Sequence, residues 1–116
     1  RDTVRIFCDG EDVELQPQQI LYAEMSARKV CLHLQGAERD LLYTTATMAD
    51  LADLLENHGF VRTHKSILVN MEHIRDLQST RLYLRDGTEL PVSSHTASAV
   101  RKIYTQWRSA KKWVIG

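Results

Sequence analysis

Apolar and polar residues alternate in short runs over most of the chain, the period of half-buried strands. Val4-Arg5-Ile6-Phe7-Cys8 is rich in β-formers and ends at Asp9-Gly10, a pair suited to a tight hairpin turn. Val13-Glu14-Leu15 is the expected return strand, stopped by Pro17. Ile20-Leu21-Tyr22-Ala23-Glu24 and Val30-Cys31-Leu32-His33-Leu34 form the next pair, with Met25 to Lys29 as their connection. In the second of these, Val30, Leu32 and Leu34 share one face, with Cys31 and His33 on the other. Gly36 opens a turn, and Leu41-Leu42-Tyr43 makes a further strand.

The period changes at residues 47–59, the clearest helix. Thr47 is placed to cap it, Asp50 favours the positive end of its dipole, and Gly59 sits where a left-handed C-terminal cap belongs. Met48, Leu51, Ala52, Leu54 and Leu55 form its expected apolar face. After residues 60–70, strands are expected at His73–Gln78, Arg81–Arg85 and Thr88–Ser93. Asp86-Gly87 is a turn between the last two, and Pro91 marks an edge. From Ala97 the spacing is helical again, with Ala97, Val100, Ile103, Tyr104 and Trp107 on one side. The pattern predicts a mostly β domain with one short internal helix and a C-terminal helix.

The 116 residues suit one domain with a real core, and 43% hydrophobic against 26% charged residues is an ordinary globular composition. No apolar run approaches the roughly 20 residues of a membrane span, so no membrane insertion is expected. Cys8 and Cys31 are too few for a disulfide framework and read as reduced core thiols of a cytoplasmic protein. The net charge of zero hides an asymmetry. The first 89 residues carry ten basic and fifteen acidic side chains. The last 27 carry Arg101, Lys102, Arg108, Lys111 and Lys112 with no acid at all. A cationic end suits phosphates or acidic lipid, and equally a solvated helix face.

Catalytic patterns are missing. There is no G-x-S-x-G, no phosphate-cradling glycine loop and no H-E-x-x-H. His64 and His73 are nine apart with no cysteine nearby, which fails zinc spacing. Ser66 follows His64 by two, and on an extended chain the two side chains are expected to diverge. No enzyme activity, metal or cofactor is expected. The densest polar cluster, Arg62, His64 and Lys65 in FVRTHKSILVN, lies between Phe60-Val61 and Ile67-Leu68-Val69. It is either a loop entering a strand or a rigid frame that holds those side chains out for a partner.

Arg62-Thr63-His64-Lys65-Ser66 followed by Ile67-Leu68-Val69-Asn70 resembles the signature of the LytTR family of DNA-binding domains. Ile20–Glu24 resembles the family's opening I-x-Y-x-E strand. Asp86-Gly87 with Leu90-Pro91-Val92-Ser93 resembles its D-G…L-P-V-S closing strand. The likeness runs over about residues 3–105 of a single domain, leaving 106–116 as a basic extension. It implies small, mostly antiparallel sheets stacked in an elongated β domain. It also implies the output domain of a bacterial response regulator, which binds duplex DNA as direct repeats through loops in successive major grooves. A homodimer on DNA and an N-terminal receiver or sensor domain outside this chain are expected with it.

The resemblance implies three DNA-reading loops. The first offers Arg28 and Lys29, and an arginine on a tight connection can fork onto guanine O6 and N7. The second offers Lys65 outward, with Ser66 as a phosphate donor. The third offers Ser94 and His95, where the family commonly has arginine, so base reading is expected to concentrate on Arg28. Arg62 is expected either to grip a phosphate or to pair with Glu24 or another acid. His64 and Asn70 are expected to support the signature loop. Trp107 and Trp113 read as helix-packing residues and Lys111-Lys112 as solvated. The alternative function is a protein-interaction or dimerisation module built on Tyr104, Trp107 and Trp113.

Overall fold

A computed structural model describes residues 2–112, so Trp113 lies outside the described residues. Among them the chain forms β1 (Val4–Cys8), β2 (Glu11–Leu15), β3 (Ile20–Ser26), β4 (Lys29–Leu34) and β5 (Leu41–Thr44) before α1 (Met48–Leu55). Then come β6 (Phe60–His64), β7 (Ile67–Asn70), β8 (Ile74–Leu77), β9 (Arg81–Leu84), β10 (Glu89–Pro91) and α2 (Ala97–Lys112). Single 3-10 turns lie at Pro17–Gln19, Glu56–His58 and Met71–His73. One seven-stranded sheet has the order β2-β1-β5-β4-β3-β7-β6 and a second has the order β10-β9-β8. Every pairing is antiparallel. The stacked antiparallel sheets and two helices follow the sequence pattern. The body measures 37 × 36 × 25 Å.

Local chemistry explains the joints. Asp9 and Gly10 both take positive φ, 51° and 87°, as a two-residue hairpin turn of this hand requires. At α1 the Thr47 hydroxyl accepts the Asp50 N–H while the Asp50 carboxylate accepts the Thr47 N–H, a capping box. Pro91 lies on β10, an edge strand, where its missing N–H costs no ladder bond.

Two apolar cores lie on the two sides of the large sheet. Val30, Leu32, Leu34, Leu42 and Leu68 face α1 through Met48, Leu51 and Leu55. On the other side Val61, Ile67 and Val69 meet Leu82, Leu84 and Leu90 of the small sheet, with Val100 of α2. Strands β3, β6 and β7 are therefore covered on both sides, and Phe60-Val61 and Ile67-Leu68-Val69 send alternate residues to opposite cores. Cys8 belongs to the first core while Cys31 faces the other way, and both are free thiols. Burial pushes Cys8 up to about 11 and raises Cys31 as well, which leaves little reactive thiolate at neutral pH.

Three expectations need correction. Leu54, placed on the apolar face of α1, is 41% exposed because it lies beyond Leu51 around the helix. Ile103 is 43% exposed, so the buried stripe of α2 is Val100 with Tyr104 and Trp107 partly covered. The connection from Met25 to Lys29 shrinks to Ala27-Arg28, because Met25↔Val30 and Ser26↔Lys29 extend the ladder.

Gly59 joins the helix to β6 with φ 83°, and a Cβ there would lie 2.9 Å from Trp107 Nε1. Gly36 has φ 73° with nothing near its Cβ direction. Alanine at either position should cost about 1–2 kcal/mol for the left-handed backbone. Denaturant unfolding should show a larger loss for Gly59→Ala than for Gly36→Ala, the excess coming from displaced Trp107. Equal losses would mean that the indole moves aside freely.

Candidate nucleic-acid interface

Three loops gather at one end of the large sheet. The β3–β4 hairpin turns at Ala27-Arg28, with Ala27 at φ 58°, and the β6–β7 hairpin turns at Lys65-Ser66. The pairing Glu24↔Ile67 and the bond from Met25 N–H to Ser66 O (3.0 Å) fix these two tips side by side. The segment after β10 is held against β6 through Thr63, which is fully buried. Thr63 O accepts the Ser93 N–H (2.8 Å) and the Thr96 hydroxyl (3.2 Å), and the Thr63 hydroxyl donates to Pro91 O (3.1 Å). The loops thus run in a row across the sheet: Arg28, then Lys65, then Ser94-His95.

The signature residues are tied to their own turn. The Arg62 guanidinium donates to Lys65 O. It does not meet Glu24, whose Oε2 instead lies 2.7 Å from His33 Nε2, the ring that stacks on Tyr22 at 4.1 Å. Of the two expected roles for Arg62, the pairing with an acid gives way to a contact to backbone, and the side chain remains exposed. His64 Nδ1 accepts the Ser66 N–H (3.2 Å) and lies 2.9 Å from Ser66 Oγ. The expected divergence of His64 and Ser66 fails because residues i and i+2 face the same side of an extended chain, and the two-residue turn closes them to hydrogen-bonding distance. The ring so braces the tip. Asn70 is buried at the other end of β7, where its amide donates to Pro17 O (3.1 Å) and Ile20 O (3.0 Å) and its Oδ1 accepts the Glu72 N–H. Its support goes to the entry of β3 and the exit of β7, away from the signature loop.

Two clefts separate the tips. One of about 630 Å³ is lined by Arg28, Arg62, Lys65 and Ser66 together with the start of α1 at Thr47. The other, about 570 Å³, is lined by Arg62, His64, Lys65, Ser93, His95 and Thr96. Arg62 and Lys65 border both, and neither cleft has an acidic lining residue. Lys29 and Ser94 are exposed but line neither cleft. Thr63 and Ser93 are the positions that sequence reasoning passes over. Thr63 bonds through both its carbonyl and its hydroxyl and Ser93 through its N–H, long-range contacts that leave no mark in composition or spacing.

The basic C-terminal helix does not collect its charges at the tips. Trp107 sits against Gly59, at the start of β6, while the tips lie past its end. Lys111 pairs with Glu72 and lies 4.8 Å over the Trp107 ring, and Arg101 donates to Leu77 O (3.0 Å). Trp107 and Tyr104 pack on the second core and stack on each other, so they act as packing residues. Among the described residues, no group of three His, Cys, Asp or Glu side chains could hold a metal ion.

The sequence model of one family, described as LytTr DNA-binding domain, matches residues 11–105. The sensory transduction protein LytT of Bacillus subtilis (strain 168) is 30% identical over 77 residues, which cover 61% of this chain and 32% of that protein. The chain thus spans about a third of the length of this curated relative. A solved LytTr DNA-binding domain from Bacillus cereus superposes with a TM-score of 0.74 over 89% of this chain and 96% of that one. At 23% identity, it speaks for the fold.

Thr63→Val keeps the shape and removes the donor to Pro91 O. Leaving that acceptor unpaired should lower stability by about 1–3 kcal/mol. Amide exchange should quicken at Ser93 and Thr96 and stay unchanged in β1 and β2. Uniform quickening across the chain would contradict a local role for this strap.

Proposed function

Because the chain belongs to the LytTr family of DNA-binding domains, we propose that it is the sequence-specific duplex-DNA-binding output unit of a bacterial transcription regulator. The observation that carries this reading is the convergence of Arg28, Arg62 and Lys65 around clefts free of acidic side chains. Hairpin tips on doubly covered strands can enter a groove without the core moving, which suits loops placed in successive major grooves over direct repeats.

Roles divide by chemistry. Phosphate contacts set position and base contacts carry sequence. Arg28, at the apex of its hairpin, is the base reader, forking onto a guanine. Lys65 and the outward N–H groups of Arg62 take phosphates, with Lys29, Ser66 and Ser94 beside them. His95, where an arginine is common in the family, reads weakly. His64 holds the second tip in shape. Two copies occupy the two repeats, and a receiver or sensor domain in the full-length protein governs them. Binding is the output, and no chemical step is required. Among the described residues, no helix is long and apolar enough to cross a membrane.

Selection from random duplexes should enrich paired direct repeats about one turn apart; no enrichment at low salt would refute DNA binding. On the selected duplex, Arg28→Ala should cost about 1–3 kcal/mol and flatten the preference over scrambled DNA. Equal losses on both duplexes would remove Arg28 as a base reader. Lys65→Ala should weaken both duplexes alike and lower the salt slope by about one phosphate's worth, near 0.9. An unchanged slope would remove Lys65 from the phosphate contacts.

A further inference from the structure

One apolar side chain sits among the cations at the loop tips. Strand alternation places Met25 on the same side of the large sheet as Ala23 and its cross-strand partner Val30, both in the first core. Met25 lies two residues nearer the tip than Ala23, past the point where that core ends. It is 45% exposed and belongs to neither core. Its backbone is fixed all the same, by the pairing with Val30 and by the N–H bond to Ser66 O. Single exposed apolar residues are ordinary on a protein surface. This one differs in its company. Among the described residues it is the only exposed large hydrophobic side chain that lines a tip cleft. It shares that cleft with Arg28 and Lys65, and Val30, Ala46 and Ala49 add further apolar lining. The cleft bordered by His64 and His95 has no hydrophobic lining residue.

We propose that Met25 is a second base-reading residue, which recognises the C5-methyl group of a thymine beside the guanine taken by Arg28. This rests on the DNA reading above and narrows it to a base step. A phosphate offers charge and oxygen, for which the cations suffice. In the major groove the base edges present one apolar group, the thymine methyl, among donors and acceptors. An apolar side chain set among cations therefore has one matching group on a duplex. Methionine is unbranched and polarisable, so it can follow a methyl group without a preformed pocket. Arg28 and Met25 come from the same hairpin and line the same cleft, so both meet one groove. The two contacts divide the reading. The guanidinium selects acceptors, and the thioether rejects cytosine, whose amino donor it leaves unpaired.

Selection from random duplexes should enrich a thymine next to the guanine whose identity ceases to matter in Arg28→Ala. Replacing that thymine by deoxyuridine removes the methyl and keeps every hydrogen-bonding group. The wild type should bind the uracil duplex about fourfold more weakly, one buried methyl's worth. Met25→Ala should bind both duplexes equally, at the level of the wild type on the uracil duplex. Met25→Leu should keep most of the discrimination. Position 25 is exposed, so neither variant opens a cavity in the fold. A wild type indifferent to the methyl, or a selected site without that thymine, would overturn the contact. So would discrimination that persists in Met25→Ala, which would assign the effect to another group or to DNA shape. Each of these results leaves DNA binding intact. Enrichment of no duplex at all would bring down the DNA reading itself, a separate result.

Discussion

Covering β3, β6 and β7 on both sides is the constraint from which the rest of the structure follows. A strand packed against α1 on one side and the small sheet on the other has no free face, and its hairpin turn is the part left to meet a partner. Phe60, Leu68 and Ala23 go to one core, and Val61, Ile67, Val69 and Tyr22 to the other. Neither hairpin can tilt without disturbing both. The tips at Ala27-Arg28 and Lys65-Ser66 are therefore carried by strands anchored in the cores. Their side chains need no separate anchoring, and a contact made through them is one for which the backbone is already ordered.

The signature motif acquires a physical meaning in this frame. Arg62 binds the carbonyl of Lys65, His64 binds the N–H of Ser66, and Thr63 between them is turned inward to hold the next loop. Four successive residues thus have four jobs, and only Lys65 is left wholly free to point away. A residue's charge says little about its duty here: the arginine shapes the turn with one N–H and keeps others for a partner.

Most of the fold could be read in the sequence because strands with one dry face impose a strict alternation, seen at Val4, Ile6 and Cys8 and at Val30, Leu32 and Leu34. Turns were legible where backbone strain selects residues, as at Asp9-Gly10 and Gly59. What escaped was contact between distant segments. Nothing local distinguishes Leu54 or Ile103 from their buried neighbours, since their exposure depends on where the facing element ends. The nearness of His64 and Ser66 comes from i, i+2 side chains sharing a face and a two-residue turn closing them together, which the expected divergence overlooks. The Arg28 turn was likewise drawn too wide, because Met25 and Ser26 lack the apolar alternation that marks a strand and are held by ladder pairing instead. Ser93 and Thr63 act through bonds between distant segments, Ser93 by its N–H and Thr63 by its carbonyl and its buried hydroxyl, and no local pattern marks them.

The two borders of the large sheet differ in how they are finished. β6 is closed by the segment from Pro91 to Thr96, whereas β2 remains open and carries Glu11, Asp12 and Glu14. Unpaired strand edges invite another chain to add itself, and short edges rich in charge discourage this. In the paired binding proposed above, copies side by side on one duplex would meet at high effective concentration, where such strand addition would fuse them into a continuous ribbon. With one border held by the segment after β10 and the other negatively charged, crowded copies of this domain would remain separate molecules.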